Sequence, residues 1–198
     1  MTRVLLARHG ETDHNRDSIL QGQTDVSLNE TGKEQARRLA DRVADEDVTA
    51  VYSSDLERAR VTAEIVAVEH GMEPEPLEEL RERKYGELAG EPRDVRRDEI
   101  AHPDDLDHLK LEGGEDINDV RGRIRPVLDD IRKNHSGETV VLVGHGWTNR
   151  AILTAAMGAE SGYAHRIRQS NACLNELEYE DYRGWRINRV NDTAHLDS

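Results

Sequence analysis

Near its N-terminus the chain reads TRVLLARHGETDHN (residues 2–15), in which a short apolar run ends at Arg8, His9 and Gly10. An apolar run of this length predicts a buried β-strand. In α/β proteins, ligands bind at the carboxyl ends of the strands. A surface loop would tolerate the same three residues, so the rest of the sequence has to distinguish a site from a loop.

A second apolar run, TVVLVGHG (residues 139–146), ends at His145 in the same manner. Further β-like runs lie at 49–53, 172–179 and 185–190, and segments with helical periodicity separate them, starting near Leu28, Leu56, Glu115 and Gly146. Alternating strands and helices predict a three-layer α/β/α fold with a mostly parallel central sheet, here as one domain over residues 1–198. Two strand ends in such a sheet can face His9 and His145 across one crevice.

Arg58 lies in TAVYSSDLERAR (residues 49–60), where a third strand ends and a helix begins. A pocket with two arginines and two imidazoles suits a phosphate or a carboxylate. Alternatively, Arg58 pairs with Glu57 or Asp55 on the helix surface. A metal site at the two histidines has no support from an HExxH or CxxC motif, and the flanking arginines would repel a cation.

The segments RHGETDHN, SSDLERARVTAE, ELRERKYGELAG, GGE and VGHG occur in an order that resembles the histidine phosphatase superfamily, phosphoglycerate mutase-like branch 1. The resemblance runs from about residue 3 to residue 179 and implies the phosphoglycerate mutase-like fold. It implies that His9 is a nucleophile that forms a phosphohistidine, a role that suits a neutral imidazole near pH 7. Arg8, Arg58 and His145 would then stabilise the phosphoryl oxygens.

The resemblance also assigns roles to residues that no motif selects by itself. Glu82 matches the family's general acid and base, although nothing in the residues favours it over Glu78, Glu79 or Glu87. The remaining residues expected to bind phosphate or substrate are Asn15, Gln21, Gly22, Tyr85, Arg93 and Gly146. Gly10 is expected to let backbone N–H groups approach the phosphate.

The expected function is hydrolysis of a small phosphorylated metabolite by a metal-independent phosphatase of the histidine acid phosphatase type, without a cofactor. A cofactor-dependent phosphoglycerate mutase is the alternative, since Tyr85 and Arg93 stand where mutases use a tyrosine and a lysine. The pair Arg96-Arg97 comes earlier than the mutase arginine pair, and the irregular segment 84–114 is a candidate lid over the site. A catalytically inactive member that only binds a phosphorylated ligand is the third interpretation.

The composition narrows the class of partner. The chain has 41 acidic and 27 basic residues, of which only four are lysines, and a net charge of −14. An acidic surface disfavours nucleic acids and anionic membranes, and together with so few lysines it suggests a halophilic source. One cysteine (Cys173), no apolar run of membrane-spanning length and no signal-like segment favour the cytoplasm. A homodimer is compatible with the sequence but not indicated by it.

Overall fold

The computed structural model describes residues 1–93 and 112–197, which form one six-stranded sheet with helices on both faces. The strands follow the order β3-β2-β4-β1-β5-β6 across the sheet. Their bounds are Thr2–Arg8 (β1), Val48–Ser53 (β2), Glu75–Pro76 (β3), Thr139–Gly144 (β4), Leu174–Glu180 (β5) and Gly184–Asp192 (β6). The pairs among β1, β2, β3 and β4 are parallel, and β5 and β6 are antiparallel additions. The predicted mostly parallel three-layer fold is therefore confirmed.

The described ranges contain five α-helices, three of which begin at a side-chain cap. Their bounds are Asp13–Arg16 (α1), Glu30–Val43 (α2), Glu57–Val68 (α3), Ile117–Asn134 (α4) and Gly146–Ala156 (α5). The Asn29 side chain accepts a bond from the N–H of Gly32 at the start of α2. Asp116 forms a reciprocal capping box with Asp119 at the start of α4. The four longer helices thus start within two residues of the positions that the sequence predicts.

Both faces of the sheet are covered because side chains along each central strand alternate between two cores. Val4 and Leu6 of β1 pack with α4 and α5, while Leu5 and Ala7 pack with α2 and α3. In β4, Val140 and Leu142 join the first core, and Val141 and Val143 join the second. Strands buried on both faces are continuous apolar runs, which explains why VLLA and VVLV lack polar alternation.

The strand order brings the two motif-bearing strand ends together. β1 and β4 are parallel neighbours with Arg8 opposite Gly144, and the N–H of His9 donates to the carbonyl of Gly144 at 3.1 Å. After β1 the chain continues to α2 on one face of the sheet, and after β4 it continues to α5 on the other. The two strand ends therefore flank a topological switch point, the usual location of a binding crevice in this class of sheet.

The candidate lid at residues 84–114 falls partly outside the described residues, and the pair Arg96-Arg97 falls wholly outside them. The described ends of this segment are tied to the rest of the fold. Ile19 and Pro92 form an isolated bridge, as do Tyr85 and Gly114. Whether the segment acts as a lid stays a prediction.

No helix in the described ranges is long and apolar enough to cross a lipid bilayer.

Candidate active site

His9 is the first residue after β1, and its imidazole is buried with 2% of its surface exposed. Its Nδ1 lies 2.6 Å from the carbonyl oxygen of Gly10. A carbonyl only accepts, so Nδ1 carries the proton and Nε2 keeps its lone pair. Burial lowers the pKa of His9 well below its usual value, and the nearby Arg58 and Arg8 lower it further. The ring is therefore neutral at pH 7, with a nucleophilic Nε2.

His145 precedes the first turn of α5, and its ring centroid lies 5.0 Å from that of His9. The residue is completely buried, and neither ring nitrogen has a hydrogen-bond partner within the described part of the chain. Burial, followed by the charge of Arg58, holds the pKa of His145 well below its usual value. A buried imidazole whose nitrogens lack partners is costly. This arrangement is typical of a group that bonds a ligand.

Two arginines approach the histidines from different elements. Arg58, on the first turn of α3, is completely buried and donates to the backbone carbonyls of Gly22 at 2.7 Å and Thr24 at 2.8 Å. Burial lowers its pKa to about 10, so the guanidinium remains charged at pH 7. The surface pairing with Glu57 or Asp55 does not occur: Arg58 points inward, and Asp55 is bonded to Arg81 at 2.7 Å.

Arg8, the last residue of β1, donates from Nη1 to the carbonyl of Gln169 at 2.6 Å. Burial lowers its pKa below the usual value, although the nearby Glu82 opposes this effect. The Nε atoms of Arg8 and Arg58 are buried and lack hydrogen-bond partners in the described ranges. Both guanidinium groups thus keep a donor available beside His9.

A narrow pocket in front of His9 gathers most of the sequence-predicted residues. Its lining consists of Arg8, His9, Asn15, Leu20, Gln21, Gly22, Arg58, Glu82, Tyr85 and Arg93. Asn15 Nδ2 is buried without a hydrogen-bond partner among the residues described. Burial beside Glu82 raises the pKa of Tyr85 to about 12, so its hydroxyl stays protonated. His145 and Gly146 are not among the lining residues; a Cβ on Gly146 would lie 3.5 Å from Glu82 Oε2 and 3.9 Å from Arg8 Nε.

The structure distinguishes Glu82 from the other glutamates near it. Glu82 is buried with 9% of its surface exposed, whereas Glu78, Glu79 and Glu87 are exposed. Glu82 Oε1 accepts the backbone N–H groups of Arg83 at 2.9 Å and Trp147 at 3.0 Å. These two bonds hold Oε1, so Oε2 is the oxygen that a general acid at this position would use.

Sequence reasoning missed the groups that hold Glu82 in place. The N–H of Trp147 reaches Glu82 only because α5 starts beside the pocket. Arg123 of α4 donates to the carbonyls of Glu79 and Glu82 and pairs with Glu115 at 2.9 Å. The Trp147 contact could be suspected from VGHG, because a helix that begins at Gly146 leaves the N–H groups of its first turn without helical partners. No signal in the sequence identifies Arg123 among the other arginines of α4.

Gly10 is expected from the sequence to let backbone N–H groups approach a phosphate, but the structure shows a different reason for a glycine at this position. Its N–H donates to Thr62 Oγ1 at 3.2 Å and so does not face the pocket. A Cβ on Gly10 would lie 2.2 Å from the carbonyl oxygen of Gly32, and a Cβ on Gly32 would lie 2.0 Å from that of Glu11. The two glycines allow two backbone segments to touch, and that contact sets the position of the nucleophile loop.

The chemistry of this constellation suits an oxyanion. Arg8 and Arg58 supply positive charge and N–H donors, and His145 supplies a neutral ring nitrogen, near the uncharged His9, with the Glu82 carboxyl at the edge. A larger cavity of about 430 Å³ lies between α4 and β2 and includes Tyr52, Arg123 and His135. That cavity lacks the unpartnered buried donors that mark the pocket at His9. No group of three or more metal-ligating side chains occurs within residues 1–93 and 112–197.

Residues 4–193 match the family model of the histidine phosphatase superfamily (branch 1). The chain is 34% identical over 196 residues to a Bacillus subtilis protein named uncharacterized phosphatase PhoE, covering 99% of this chain and 97% of that protein. It is 32% identical over 206 residues to the probable phosphoglycerate mutase GpmB of Yersinia pestis, covering 100% of this chain and 96% of that protein.

Solved structures superpose on nearly the whole chain. Bacillus stearothermophilus YhfR superposes with a TM-score of 0.90 at 29% identity, over 100% of both chains. A mycobacterial glucosyl-3-phosphoglycerate phosphatase in complex with VO3 superposes with a TM-score of 0.88 at 27% identity, over 96% of this chain and 99% of that one.

Proposed function

Since this chain belongs to the histidine phosphatase superfamily (branch 1), we propose that it hydrolyses phosphomonoesters through a phosphohistidine formed on His9. The observation that carries the proposal is the buried, neutral His9, whose Nδ1 is bonded to Gly10 O and which lines one pocket with Arg8, Arg58 and Asn15, each of which has a nitrogen that is unpartnered within the described residues. Phosphoryl transfer needs positioning and charge stabilisation more than any other contribution from a protein. This pocket supplies both.

In the first step His9 Nε2 attacks phosphorus opposite the ester oxygen. The new N–P bond forms as the P–O bond to the alcohol breaks, and Glu82 Oε2 gives its proton to the departing oxygen. Arg8, Arg58 and His145 stabilise the charge on the phosphoryl oxygens, and the Asn15 amide adds a neutral donor. The products are an alcohol and a phosphohistidine.

In the second step the Glu82 carboxylate takes a proton from a water molecule, whose oxygen attacks the phosphohistidine. The N–P bond breaks, inorganic phosphate forms, and both His9 and protonated Glu82 are restored. One acid–base group serves both steps because alcohol and water occupy the same side of the phosphorus in turn. Dividing one difficult displacement into two lowers each barrier.

The test is turnover of p-nitrophenyl phosphate in excess chelator, with and without molar KCl. We expect the wild type to release p-nitrophenol under chelation and His9→Ala to be inactive. Metal independence fails if the chelator abolishes turnover and a divalent cation restores it. If the wild type is inactive in every buffer but binds phosphate, the protein is a phospholigand-binding member and not an enzyme.

A phosphoglycerate mutase is the second candidate. Tyr85 and Arg93 line the pocket, and a relative that covers the whole chain is named a probable phosphoglycerate mutase. Incubation with 3-phosphoglycerate and 2,3-bisphosphoglycerate separates the two activities. Accumulation of free phosphate supports the phosphatase, and accumulation of 2-phosphoglycerate supports the mutase.

For the substrate we propose a small phosphorylated metabolite, which the narrow pocket and the name of the mycobacterial relative both favour. We also propose the acid phosphatase type, on the basis of the same site. A pH–activity profile tests this assignment, and its optimum should lie below neutrality. A panel of phosphorylated sugars, phosphoglycerates and amino-acid phosphates, assayed for phosphate release, identifies the leaving group.

We also propose a cytoplasmic enzyme adapted to high salt, since the net charge is −14 and only four residues are lysines. Salt screens the repulsion among surface carboxylates, so the melting temperature should rise between low salt and molar KCl. An unchanged or lower melting temperature would contradict the adaptation. A homodimer stays a prediction that sedimentation in the same two buffers tests.

A further inference from the structure

The turn of residues 169–173, which leads into β5, wraps around the backbone that carries the nucleophile. The N–H of Ala172 donates to the carbonyl of His9 at 3.0 Å, and the N–H of Arg8 donates to the carbonyl of Cys173 at 3.1 Å. None of the family-like motifs in the sequence includes this turn. It is nevertheless bonded directly to the backbone of the nucleophile segment.

The side chain of Asn171 occupies the centre of this contact. Its Nδ2 lies 3.2 Å from the carbonyl oxygen of His9, 3.2 Å from that of Gly10 and 3.0 Å from Oδ1 of Asn15. An amide NH2 donates and does not accept, so three oxygens surround a single donor group. Asn171 therefore joins the nucleophile backbone to a side chain of the phosphate pocket.

These contacts determine which way the Asn15 amide faces. Asn15 Oδ1 accepts from the N–H of Thr12 at 3.2 Å, the hydroxyl of Thr12 at 3.0 Å and Nδ2 of Asn171 at 3.0 Å. The Nδ2 of Asn15 is buried and has no hydrogen-bond partner in the described structure. An amide whose oxygen is held by three donors presents its NH2 group on the opposite side, which here is the pocket.

The same side chain also supports the carbonyl that orients the nucleophile. Gly10 O accepts from His9 Nδ1 at 2.6 Å and from Asn171 Nδ2 at 3.2 Å. The first bond keeps the proton on Nδ1, so that Nε2 is the nitrogen that attacks. A donor that holds Gly10 O in place helps to keep the imidazole in that orientation.

We propose that Asn171 is a positioning residue for phosphoryl transfer, which keeps the NH2 group of Asn15 directed at the phosphoryl oxygens and the Nε2 of His9 directed at phosphorus. This inference rests on the proposed function, since it assumes a phosphoryl group in the pocket. It assigns to the 169–173 turn the task of aligning two groups that the family-like motifs supply.

The experiment compares Asn171→Ala, Asn171→Asp and Asn15→Ala with the double variant Asn15→Ala/Asn171→Ala. The probe is inorganic phosphate, whose affinity is measured by calorimetry, with p-nitrophenyl phosphate turnover in parallel. We expect Asn171→Ala to weaken phosphate binding about 10-fold, because the Asn15 amide would no longer be directed at the phosphate and one hydrogen bond to a charged ligand would be lost. Asn171→Asp should be worse, because its carboxylate repels the three oxygens and attracts the Asn15 amide away from the pocket.

The decisive readout is coupling between the two residues. In the Asn15→Ala background, Asn171→Ala should weaken phosphate binding less than about 2-fold, since its effect on the ligand passes mainly through Asn15. Equal factors in both backgrounds would overturn the proposal and leave Asn171 as a structural residue of the turn. If Asn171→Ala does not fold, Asn171→Ser supplies the same cycle.

Asn191→Gly is the matched control. Asn191 Oδ1 accepts from the N–H of Ser170 at 2.6 Å, so it holds the same turn without touching His9 or Asn15. Its φ of 52° is a conformation that glycine adopts freely. We expect Asn191→Gly to lower the melting temperature and to have the same effect on phosphate affinity in both Asn15 backgrounds. Coupling to Asn15 as strong as that of Asn171 would contradict the specific role.

Failure of the proposed function gives a different result from failure of this inference. A wild type that binds phosphate but turns nothing over refutes the hydrolase, while the affinity cycle still decides the role of Asn171. A wild type that binds no phosphate overturns the inference, because the Asn15 amide then has no oxyanion to bind.

Discussion

The two sides of the pocket are built in different ways. On the nucleophile side, His9 and His145 directly follow the neighbouring strands β1 and β4, and Arg58 stands on the first turn of α3. On the acid side, Glu82 lies between two short 3-10 turns, Glu78–Leu80 and Gly86–Leu88, outside any strand or longer helix. The histidines of the first side are positioned by strand ends, whereas Glu82 is positioned by hydrogen bonds that hold a segment without regular structure.

This difference has a chemical counterpart. Hydrolysis of any phosphomonoester by this route requires the nucleophile and the groups that bind the phosphoryl oxygens. The need for a general acid depends on how basic the departing oxygen is. A rigid sheet edge suits the constant part of the reaction. The segment around Glu82 is held by a few contacts, such as the bond from Arg123 to the carbonyl of Glu82, so its sequence can vary without disturbing the sheet. Four substitutions or conditions test this division.

The largest effect should follow His9→Ala. We expect loss of p-nitrophenyl phosphate turnover by at least about 10⁴-fold, because the covalent route disappears with the nucleophile. Mass spectrometry of acid-free quenched enzyme should show one added phosphoryl group on the wild type and none on the variant. Retention of that adduct on His9→Ala would place the nucleophile elsewhere.

Glu82→Gln should divide substrates by leaving group. For an alkyl phosphate we expect kcat to fall about 10²- to 10³-fold, since an alkoxide departs poorly without a proton. For p-nitrophenyl phosphate the first step needs no acid, and a burst of p-nitrophenol should precede slow hydrolysis of the phosphohistidine. If Glu82→Gln slows the first step equally for the alkyl phosphate and for p-nitrophenyl phosphate, Glu82 does more than transfer a proton.

Arg123→Ala should produce a weaker version of the same pattern. Arg123 holds the carbonyls of Glu79 and Glu82, so its loss should lower kcat for an alkyl phosphate about 10-fold through misplacement of the acid. Arg132→Ala is the control, since Arg132 lies on the same helix and pairs with Asp129 at 2.9 Å, away from the pocket. A change in phosphate affinity instead of kcat would assign Arg123 to the nucleophile side.

The smallest effect concerns stability and pH. The pKa values of His9 and His145 are lowered in the folded state, mainly by burial. Below the unfolded pKa of about 6.5 the unfolded chain therefore binds more protons, and stability should fall by about 1.4 kcal/mol per pH unit for each histidine. Urea denaturation at pH 7.5 and 5.5 measures this loss, which should be smaller in His9→Gln. An equal loss in both proteins would contradict the lowered pKa of His9.

Prediction from sequence succeeded where the signal was local. The apolar runs at residues 3–7 and 139–143 became β1 and β4, because strands covered on both faces need continuous apolar sequence. The helix that begins at Leu56 in the prediction starts at Glu57, and Arg58 lies on its first turn with either start. The two-residue strand β3 was missed, since Glu75 and Pro76 carry no strand pattern.

Prediction was weaker where a residue depends on distant parts of the chain. Nothing local separated Glu82 from its neighbours, and only burial under α5 makes it the carboxylate at the pocket. The reason for Gly10 was misjudged because Gly32, which it contacts, belongs to a different element. Asn171 escaped notice because it meets Asn15 across a sequence separation of 156 residues.

The sequence by itself determined the longer strands, the longer helices and the identity of the groups at the two strand ends, since periodicity and motif depend only on neighbouring residues. The tertiary structure alone decided that β4 lies beside β1, that Glu82 is the buried carboxylate, that Asn171 bonds to the His9 backbone and to Asn15, and that Arg123 bonds to the carbonyl of Glu82. The physical reason is that burial and hydrogen bonding depend on which distant segments the fold brings into contact.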